Sequence, residues 1–268
     1  MPAATESSHV ALIEPNSLEA IRERVAAGRI SWSGPLLLVT ARSFLLVAAQ
    51  ALVASILYLR HWETPWREAG HYWNVYGTLV DIGCLVGLRY FTRREGIRLR
   101  DLMGSIRLRR GRDVLLGLGY FLIVFPLFLV GGTLAHKLLY GAAATDPGSY
   151  LVQPHYIPAW ALIYGLSLWW LIWSPTEEAT YQAYVMPRLQ ALSGRTWVAF
   201  VIVGFWWTGQ HTALSFIPDP RFMAFRFLAF LPGILMLMII YSKTRRLTPL
   251  IVAHWPMDIL GSLMMSVH

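Results

Sequence analysis

The sequence predicts an all-α fold, a polytopic transmembrane helical bundle of about seven to eight spans. Hydrophobic residues make up 56% of the chain and charged residues only 14%, whereas charged residues supply about 25% of an ordinary soluble domain. About seven apolar runs approach the ~20 residues that a helix needs to cross a bilayer. Short segments rich in arginine and lysine separate these runs, as expected of a chain that crosses a membrane repeatedly.

The predicted spans follow one another without an internal repeat or a linker long enough to separate domains. The pattern also leaves room for an eighth, re-entrant or interfacial helix. The third run contains Pro126, a residue that can kink a helix. The apolar runs are Leu36–Leu59, Tyr72–Phe91, Val114–Tyr140, Ala159–Trp173 continuing past Glu177 and Glu178, Trp197–Ile217, Ala224–Tyr241 and Leu247–Met265.

The segment before the first run is polar and of mixed charge. It has no basic stretch leading into an apolar core, so a cleaved signal peptide is not expected. Within it, Leu18 to Ala27 has the pattern of a short surface helix with Ser17 as its N-cap.

Basic residues predict the orientation of the bundle, because cytoplasmic loops of membrane proteins are enriched in lysine and arginine. Thr92–Asp113 is densely basic and is expected either to lie partly on anionic headgroups or to form a solvated loop. Gly141–Pro158 has no lysine or arginine and should face the opposite side. The N-terminus is then cytoplasmic, in what we expect to be a bacterial plasma membrane. The later basic loops contain Arg188 and Arg195, then Lys243, Arg245 and Arg246.

The net charge of +8 does not indicate nucleic-acid binding, because the basic residues lie in short segments between apolar runs. The partners that the composition predicts are the lipid bilayer and molecules associated with it. The single cysteine, Cys84, lies inside an apolar run, so neither a disulfide framework nor a cysteine-based metal site is expected.

Glu177 and Glu178 are adjacent carboxylates that follow an uncharged, strongly apolar stretch. An ionisable residue at membrane depth costs at least ~2.5–3.5 kcal/mol on insertion scales, so such residues face a cavity or the bundle interior rather than lipid. The pair is therefore a candidate functional site. The alternative is that the pair only ends a helix at the headgroups.

Other polar residues in apolar context lie later in the chain, at His211, His254 and Asp258. His254 and Asp258 are four residues apart, so a helix places them on one face. Glu178 and Gln182, and Trp207 and His211, share this spacing. Since lipid offers no water, these groups are expected to satisfy one another inside the bundle. The first three predicted spans show no matching polar set.

This set of residue types suits hydrolysis of a peptide bond. That reaction needs a base to activate water, a group to stabilise the oxyanion and an acid for the leaving amine. A carboxylate can serve as the base, and a histidine across the cavity can hold the same water. A second histidine with Asp258 can direct a donor toward the oxyanion. The same atoms are also common zinc ligands, so a catalytic zinc ion is the other possibility.

The order and spacing of these residues resemble the CPBP intramembrane proteases, also called the type II CAAX prenyl protease or bacterial Abi family. The resemblance covers Ala159 to Leu260. Pro187-Arg188-Leu189 adds to it. The family's first motif is two glutamates, three variable residues and an arginine; its second is an aromatic residue, usually Phe, three residues and His. Its third is His, three residues and usually Asn, sometimes Asp or another small polar residue. They fall on Glu177-Glu178 with Gln182, on Trp207 with His211, and on His254 with Asp258.

The resemblance implies that Glu177 is the base for a water that His211 also holds, with Glu178 in support. It implies an oxyanion or structural role for His254 and Asp258. We expect no cofactor, because no HExxH spacing or cysteine ligand is present, although family members have been described both with and without metal and zinc stays possible. Gln182 departs from the family's arginine and holds a carboxylate less strongly in its charged form.

We therefore expect an intramembrane endopeptidase that acts on membrane-associated or lipid-modified, CAAX-like substrates. The expected organisation is a cytoplasmic N-terminal segment (1–35), N-terminal transmembrane helices (36–150) and a CPBP-like catalytic transmembrane core (151–268). The main alternative is a catalytically inactive scaffold, an immunity factor or a partner-binding protein. A proton-coupled transporter is a third class, disfavoured because the polar residues cluster in one half of the chain.

Overall fold

The computed structural model describes residues 14–104, 110–141 and 158–264. Over these residues it contains helices and loops and no strand, which confirms the predicted all-α class. A 3₁₀ turn, Leu99–Met103, follows the fourth helix. The α-helices are α1 (Leu18–Ala26), α2 (Ser33–Leu59), α3 (Pro65–Gly70), α4 (Trp73–Arg94), α5 (Arg110–Tyr140), α6 (Ala159–Tyr164), α7 (Trp170–Glu178), α8 (Met186–Ser193), α9 (Thr196–Ala213), α10 (Pro220–Thr244) and α11 (Leu247–Met264).

Three of the described helices are long and apolar enough to cross a membrane, namely α2, α5 from Gly111 onward, and α10. Large apolar side chains on α5 are exposed, among them Leu115, Leu122 and Leu138 at 70–74%. An apolar surface of this kind suits lipid rather than water. The other predicted runs fall on α4, α6 to α8, α9 and α11. That these also cross, giving seven to eight spans, stays a prediction, and Gly141–Pro158 lies almost wholly outside the described residues.

The helix that carries the two glutamates alternates between α-helical and π-helical segments. Two π-helical stretches, Gly165–Trp169 and Ala179–Val185, connect α6, α7 and α8 into one continuous rod. Pro175 lies inside α7 and has no N–H to donate within the helix. Single π turns within α-helices are frequent at functional sites, because they widen the helix and redirect side chains. Glu177 and Glu178 are the last residues of α7, directly before the second π stretch.

The packing of the bundle surrounds this rod. α4 and α11 pack against α7, α2 packs against α4 and α9, and α5 packs against α10 and α11. Gly131 permits the close approach of α5 to α10, since a Cβ atom there would lie 2.5 Å from the carbonyl oxygen of Ala229. Helices from the N-terminal half and from the C-terminal half of the chain therefore pack against α7.

The N-terminal segment forms the predicted cap and short helix. Ser17 accepts a hydrogen bond from the backbone N–H of Ala20 at the start of α1. The basic segment after α4 packs inward where it is described, because Ile97 and Leu102 are buried in the core. These two side chains face protein rather than headgroups. Residues 105–109 of the same segment lie outside the described residues.

Arg188 corrects one sequence-based expectation, because it is fully buried in α8 rather than exposed in a basic loop. Its Nε and Nη2 donate to the two carboxylate oxygens of Glu95 at 2.8 and 2.5 Å. Its Nη1 donates to Asn16, and the guanidinium lies 3.9 Å from the ring centre of Tyr184. Arg24 of α1 lies beside the same carboxylate, and burial, followed by the nearby Arg188 charge, lowers the pKa of Arg24. The pair thus ties α1, the end of α4 and α8 together.

We expect Arg188→Ala to destabilise the protein by about 3–5 kcal/mol, because it leaves Glu95 as a buried carboxylate without its bidentate partner. Thermal unfolding of the purified protein in detergent measures this as a lower midpoint. Arg195→Ala, at an exposed arginine near the end of the same helix, is the matched control and should leave the midpoint unchanged. Equal midpoints for both variants would contradict a stabilising role for the Arg188–Glu95 pair.

Candidate active site

Glu177 is fully buried at the end of α7 and has two oxygens in different surroundings. The indole N–H of Trp207 donates a hydrogen bond to Oε1. Oε2 has no hydrogen-bond partner, and the nearest cationic nitrogen, Nη2 of Arg42, lies 3.5 Å away. One oxygen is therefore anchored by a hydrogen bond, whereas the other accepts none and has only the Arg42 guanidinium beside it.

Arg42 of α2 places a cation beside this carboxylate. Its side chain is fully buried, its Nε donates to Gln210 Oε1 at 2.8 Å and its Nη1 donates to Asp81 Oδ1 at 2.8 Å. The guanidinium lies 4.2 Å from the ring centre of Trp173, in the helix that carries Glu177. A cation from α2 and an anion from α4 thus reach the site from the N-terminal half of the chain.

The expectation that the first three predicted spans contain no matching polar set is therefore wrong. Arg42, Gln50 and Asp81 are all buried polar residues on α2 and α4. The signal that would have found Arg42 and Asp81 was the one applied to Glu177, a charged residue inside an apolar run. Their opposite charges would also have predicted that they pair with each other.

Glu178 begins a second chain of contacts, which continues to α11. Gln182, one turn later, donates from Nε2 to Glu178 Oε2 at 2.5 Å. The Nδ1 atom of His254, on α11, lies 3.0 Å from Glu178 Oε1. His254 Nε2 lies 3.6 Å from Asp258 Oδ1, and Ser174 donates to the other oxygen of Asp258. The predicted pairing of Glu178 with Gln182, and of His254 with Asp258 on one face, is present in the structure.

His211 is held by the same residue that anchors Glu177. Its Nδ1 lies 3.0 Å from the backbone carbonyl oxygen of Trp207, and because a carbonyl only accepts, Nδ1 is the donor. In a neutral imidazole, Nε2 is then the acceptor. The ring stacks on Phe230 of α10 with a centre-to-centre distance of 4.0 Å. Trp207 thus positions both Glu177 and His211, and its indole N–H gives Glu177 an anchor that a phenylalanine at this position would lack.

The five sequence-predicted residues therefore fall into two linked groups. Glu178, His254 and Asp258 form one chain of contacts, while Glu177 and His211 share Trp207. Glu177 and Glu178 are adjacent in the chain, which links the two groups. The structure brings these five side chains to one region between α7, α9 and α11. Their catalytic roles stay predictions.

The residues fit a metal ion poorly. A catalytic zinc site commonly uses three protein ligands and a water molecule. Among the residues that the structure describes, no group of three or more His, Cys, Asp or Glu side chains is arranged to hold a metal ion. The oxygens and nitrogens of Glu178, His254 and Asp258 are directed at one another instead.

Comparison with protein families gives a match over the part of the chain that carries these residues. Residues 158–260 match the family described as Type II CAAX prenyl endopeptidase Rce1-like. Residues 158–260 are Rce1-like. This match confirms the resemblance to the family of CPBP and CAAX prenyl proteases. The Rce1-like region contains all five predicted site residues. With the apolar helices α2, α5 and α10, it identifies a membrane protein.

Arg42 and Asp81 lie outside the Rce1-like region, so the family match alone does not point to them. Comparisons with curated proteins and with solved structures gave no match. The contacts of Arg42 with Asp81, Gln210 and Glu177 are therefore an observation on this chain.

Proposed function

We propose that the protein is an intramembrane endopeptidase that hydrolyses membrane-associated or lipid-modified, CAAX-like peptides with a glutamate-activated water. The observation that carries the proposal is the Glu177 carboxylate, which is fully buried, with one oxygen anchored by Trp207 and the other without a hydrogen bond. The Rce1-like match favours a peptidase over the scaffold alternative.

Glu177 is the proposed general base. A base must lie within hydrogen-bond reach of the proton that it removes, and we assign the water to Oε2 because this oxygen accepts no hydrogen bond from the protein. Arg42, 3.5 Å from that oxygen, favours the ionised carboxylate that can accept a proton. Arg42 thus supplies the cation for Glu177, while the neutral Gln182, at the position of the motif arginine, contacts Glu178.

His211 is the proposed second hydrogen-bond acceptor for the water. Because its Nδ1 donates to the Trp207 carbonyl, Nε2 is left to accept a hydrogen bond from the same water. Two acceptors on one water orient the oxygen lone pair toward a substrate carbonyl carbon, which is the positioning that hydrolysis needs. Stacking on Phe230 keeps the imidazole plane from rotating.

His254 is the proposed donor to the oxyanion. Its Nδ1 contacts Glu178, and its Nε2 is 3.6 Å from Asp258, beyond a good hydrogen bond. Nε2 can therefore direct its N–H at a substrate oxygen, while Asp258 stabilises the positive imidazolium through its charge. Donors placed in advance at the oxyanion position commonly contribute about 10²–10³ in rate.

The reaction then follows from these positions. The water oxygen bonds to the carbonyl carbon as a proton of the water passes to Glu177. The negative charge that forms on the carbonyl oxygen is stabilised by the N–H of His254. Collapse of this intermediate breaks the carbon–nitrogen bond, and the proton on Glu177 passes to the leaving amine. All atoms come from substrate and water, so no step requires an additional reactant.

A cleavage assay in liposomes tests the proposal. Lipid-modified and unmodified membrane peptides are incubated with the protein. We expect the cleavage rate to fall by about 10²–10⁴-fold in His211→Asn, because the imidazole that accepts a hydrogen bond from the water is removed. His61→Asn, at an exposed histidine in the loop after α2, is the matched control and should retain the rate. Equal rates in the two variants would contradict the proposed role of His211.

The same assay addresses the metal. Protein treated with a chelator and freed of metal is expected to keep its activity, because the described residues offer no three-ligand site. Activity lost on chelation and restored by added zinc would show instead that the enzyme is a metalloprotease. Absence of cleavage for every peptide, with folding intact, would favour the scaffold alternative.

A further inference from the structure

Ser174 makes a contact that most hydroxyl groups inside a helix do not make. It is fully buried on α7, and its hydroxyl donates a hydrogen bond to Oδ2 of Asp258 on α11, 84 residues later in the chain. Serine and threonine hydroxyls inside helices commonly bond the backbone carbonyl one turn earlier. Three other hydroxyls of the same rod form that local bond, at Ser167, Thr176 and Thr180. Since a hydroxyl has one proton to donate, the bond to Asp258 replaces the local bond of Ser174.

Two contacts, one helical turn apart, connect α7 to α11. Ser174 and Glu178 are four residues apart on α7, as His254 and Asp258 are on α11. Ser174 meets Asp258, and Oε1 of Glu178 lies 3.0 Å from Nδ1 of His254. The other oxygen of Asp258, Oδ1, lies 3.6 Å from Nε2 of His254. The two oxygens of Asp258 therefore have different neighbours, the Ser174 hydroxyl at one and the imidazole at the other.

The distance between Asp258 and His254 matters for the proposed reaction. A hydrogen bond from a ring N–H to a carboxylate oxygen needs about 2.7–3.2 Å. At 3.6 Å, Asp258 attracts the positive imidazolium but leaves the Nε2 proton available to a substrate oxygen. If the carboxylate moved closer, this proton would bond to Asp258 and the oxyanion would lose its donor.

The hydroxyl of Ser174 is what restrains the Asp258 carboxylate. Rotation about the last bond of an aspartate side chain is soft, so an unrestrained carboxylate turns toward a nearby cation. Among the residues that the structure describes, Ser174 is the one that donates a hydrogen bond to Asp258. We propose that Ser174 is a positioning residue, which keeps Asp258 near the His254 imidazolium without letting it capture the Nε2 proton. The proposal rests on the peptidase function above.

The identity of residue 258 explains why a restraint is needed in this chain. The third motif of the family usually ends in asparagine, which is neutral and does not draw in an imidazolium. Asp258 does so, because the attraction between opposite charges is stronger where water is excluded. The contribution of Ser174 should therefore depend on the charge of Asp258.

Proton NMR of the protein with isotope-labelled histidine, in detergent micelles, tests the restraint directly. The His254 signal is identified by its absence in His254→Asn, and a proton in a stronger hydrogen bond resonates further downfield. We expect the Nε2 proton of His254 to move downfield in Ser174→Ala, because Asp258 then bonds to it. Ser167→Ala, at an exposed serine of the same rod, is the matched control and should leave the signal in place. An unchanged signal in Ser174→Ala overturns the proposal.

Peptide cleavage in liposomes gives the second measurement. In Ser174→Ala we expect kcat to fall by about 10-fold with KM unchanged, because the oxyanion forms only after the substrate has bound. Ser174→Thr keeps the hydroxyl and should retain kcat. In the Asp258→Asn protein, Ser174→Ala should change kcat by less than about twofold, because the two changes act through one contact. An equal fall in both backgrounds would show that Ser174 acts only on folding, and the proposal would be rejected.

The NMR measurement keeps this proposal distinct from the peptidase function, since it requires no cleavage. A downfield shift in Ser174→Ala, in a protein that cleaves no peptide, supports the restraint on Asp258 and counts against the peptidase function alone. No shift, with cleavage present in the original protein, rejects the role of Ser174 and leaves the peptidase function intact.

Discussion

Glu177→Gln is expected to reduce peptide hydrolysis by about 10³-fold or more, the largest effect of a single change in this protein. A glutamine has the shape of the glutamate and can still accept the indole N–H of Trp207. Arg42 loses the charge of Glu177 but keeps its ion pair with Asp81 and its hydrogen bond to Gln210. It cannot take a proton from water, and general bases contribute about 10²–10⁴ to such rates. The measurement is kcat with a lipid-modified peptide in liposomes.

Folding is followed in the same preparations by thermal unfolding, and the midpoint for Glu177→Gln should match that of the original protein within a few degrees. Glu14→Gln, at an exposed glutamate before α1, controls for the loss of one carboxylate and should retain the rate. A Glu177→Gln enzyme with the original rate would reject Glu177 as the base, whatever the behaviour of His211.

Arg42→Gln is expected to impair both stability and turnover. The substitution leaves Asp81 and Glu177 as buried carboxylates without their cation, and the removal of one partner of a buried pair costs about 3–5 kcal/mol. The unfolding midpoint should fall accordingly. Turnover should fall as well, because Glu177 Oε2 is no longer held in its ionised form beside the water.

Two double variants separate these effects. Arg42→Gln with Asp81→Asn removes both members of the ion pair and should recover most of the stability, while kcat stays low. Arg42→Gln with Gln182→Arg returns an arginine to the position that the family motif assigns, and should recover part of kcat. If stability and kcat recover together in the first double variant, Arg42 acts only on folding and has no part in positioning Glu177.

Local sequence patterns were sufficient for contacts within one helix. The i,i+4 spacing predicted that Gln182 meets Glu178 and that His254 meets Asp258, and both contacts are present. The reason for the second pair is that 3.6 residues per turn place it on one face of α11 whatever surrounds the helix. Gln182 meets Glu178 as well, although it lies in the π-helical stretch Ala179–Val185. The same reasoning identified Ser17 as the cap of α1, because capping depends on adjacent residues only.

Contacts between helices were not predictable in this way. Arg42 approaches Glu177 and Gln210 from a helix more than 130 residues earlier in the chain, with hydrogen bonds that span as many as 168 residues. Arg188 appeared to belong to an exposed basic loop, yet it pairs with Glu95 inside the protein. The charge of an arginine gives the same sequence signal in both settings, so burial decides which one applies.

The sequence by itself determined the all-α class, the apolar helices, the Rce1-like region and the identity of five polar residues within it. Only the tertiary structure decided that Trp207 contacts two of them and that Arg42 reaches Glu177 from α2. The physical reason is that helix periodicity sets which side chains share a face, whereas the packing of helices sets which faces meet.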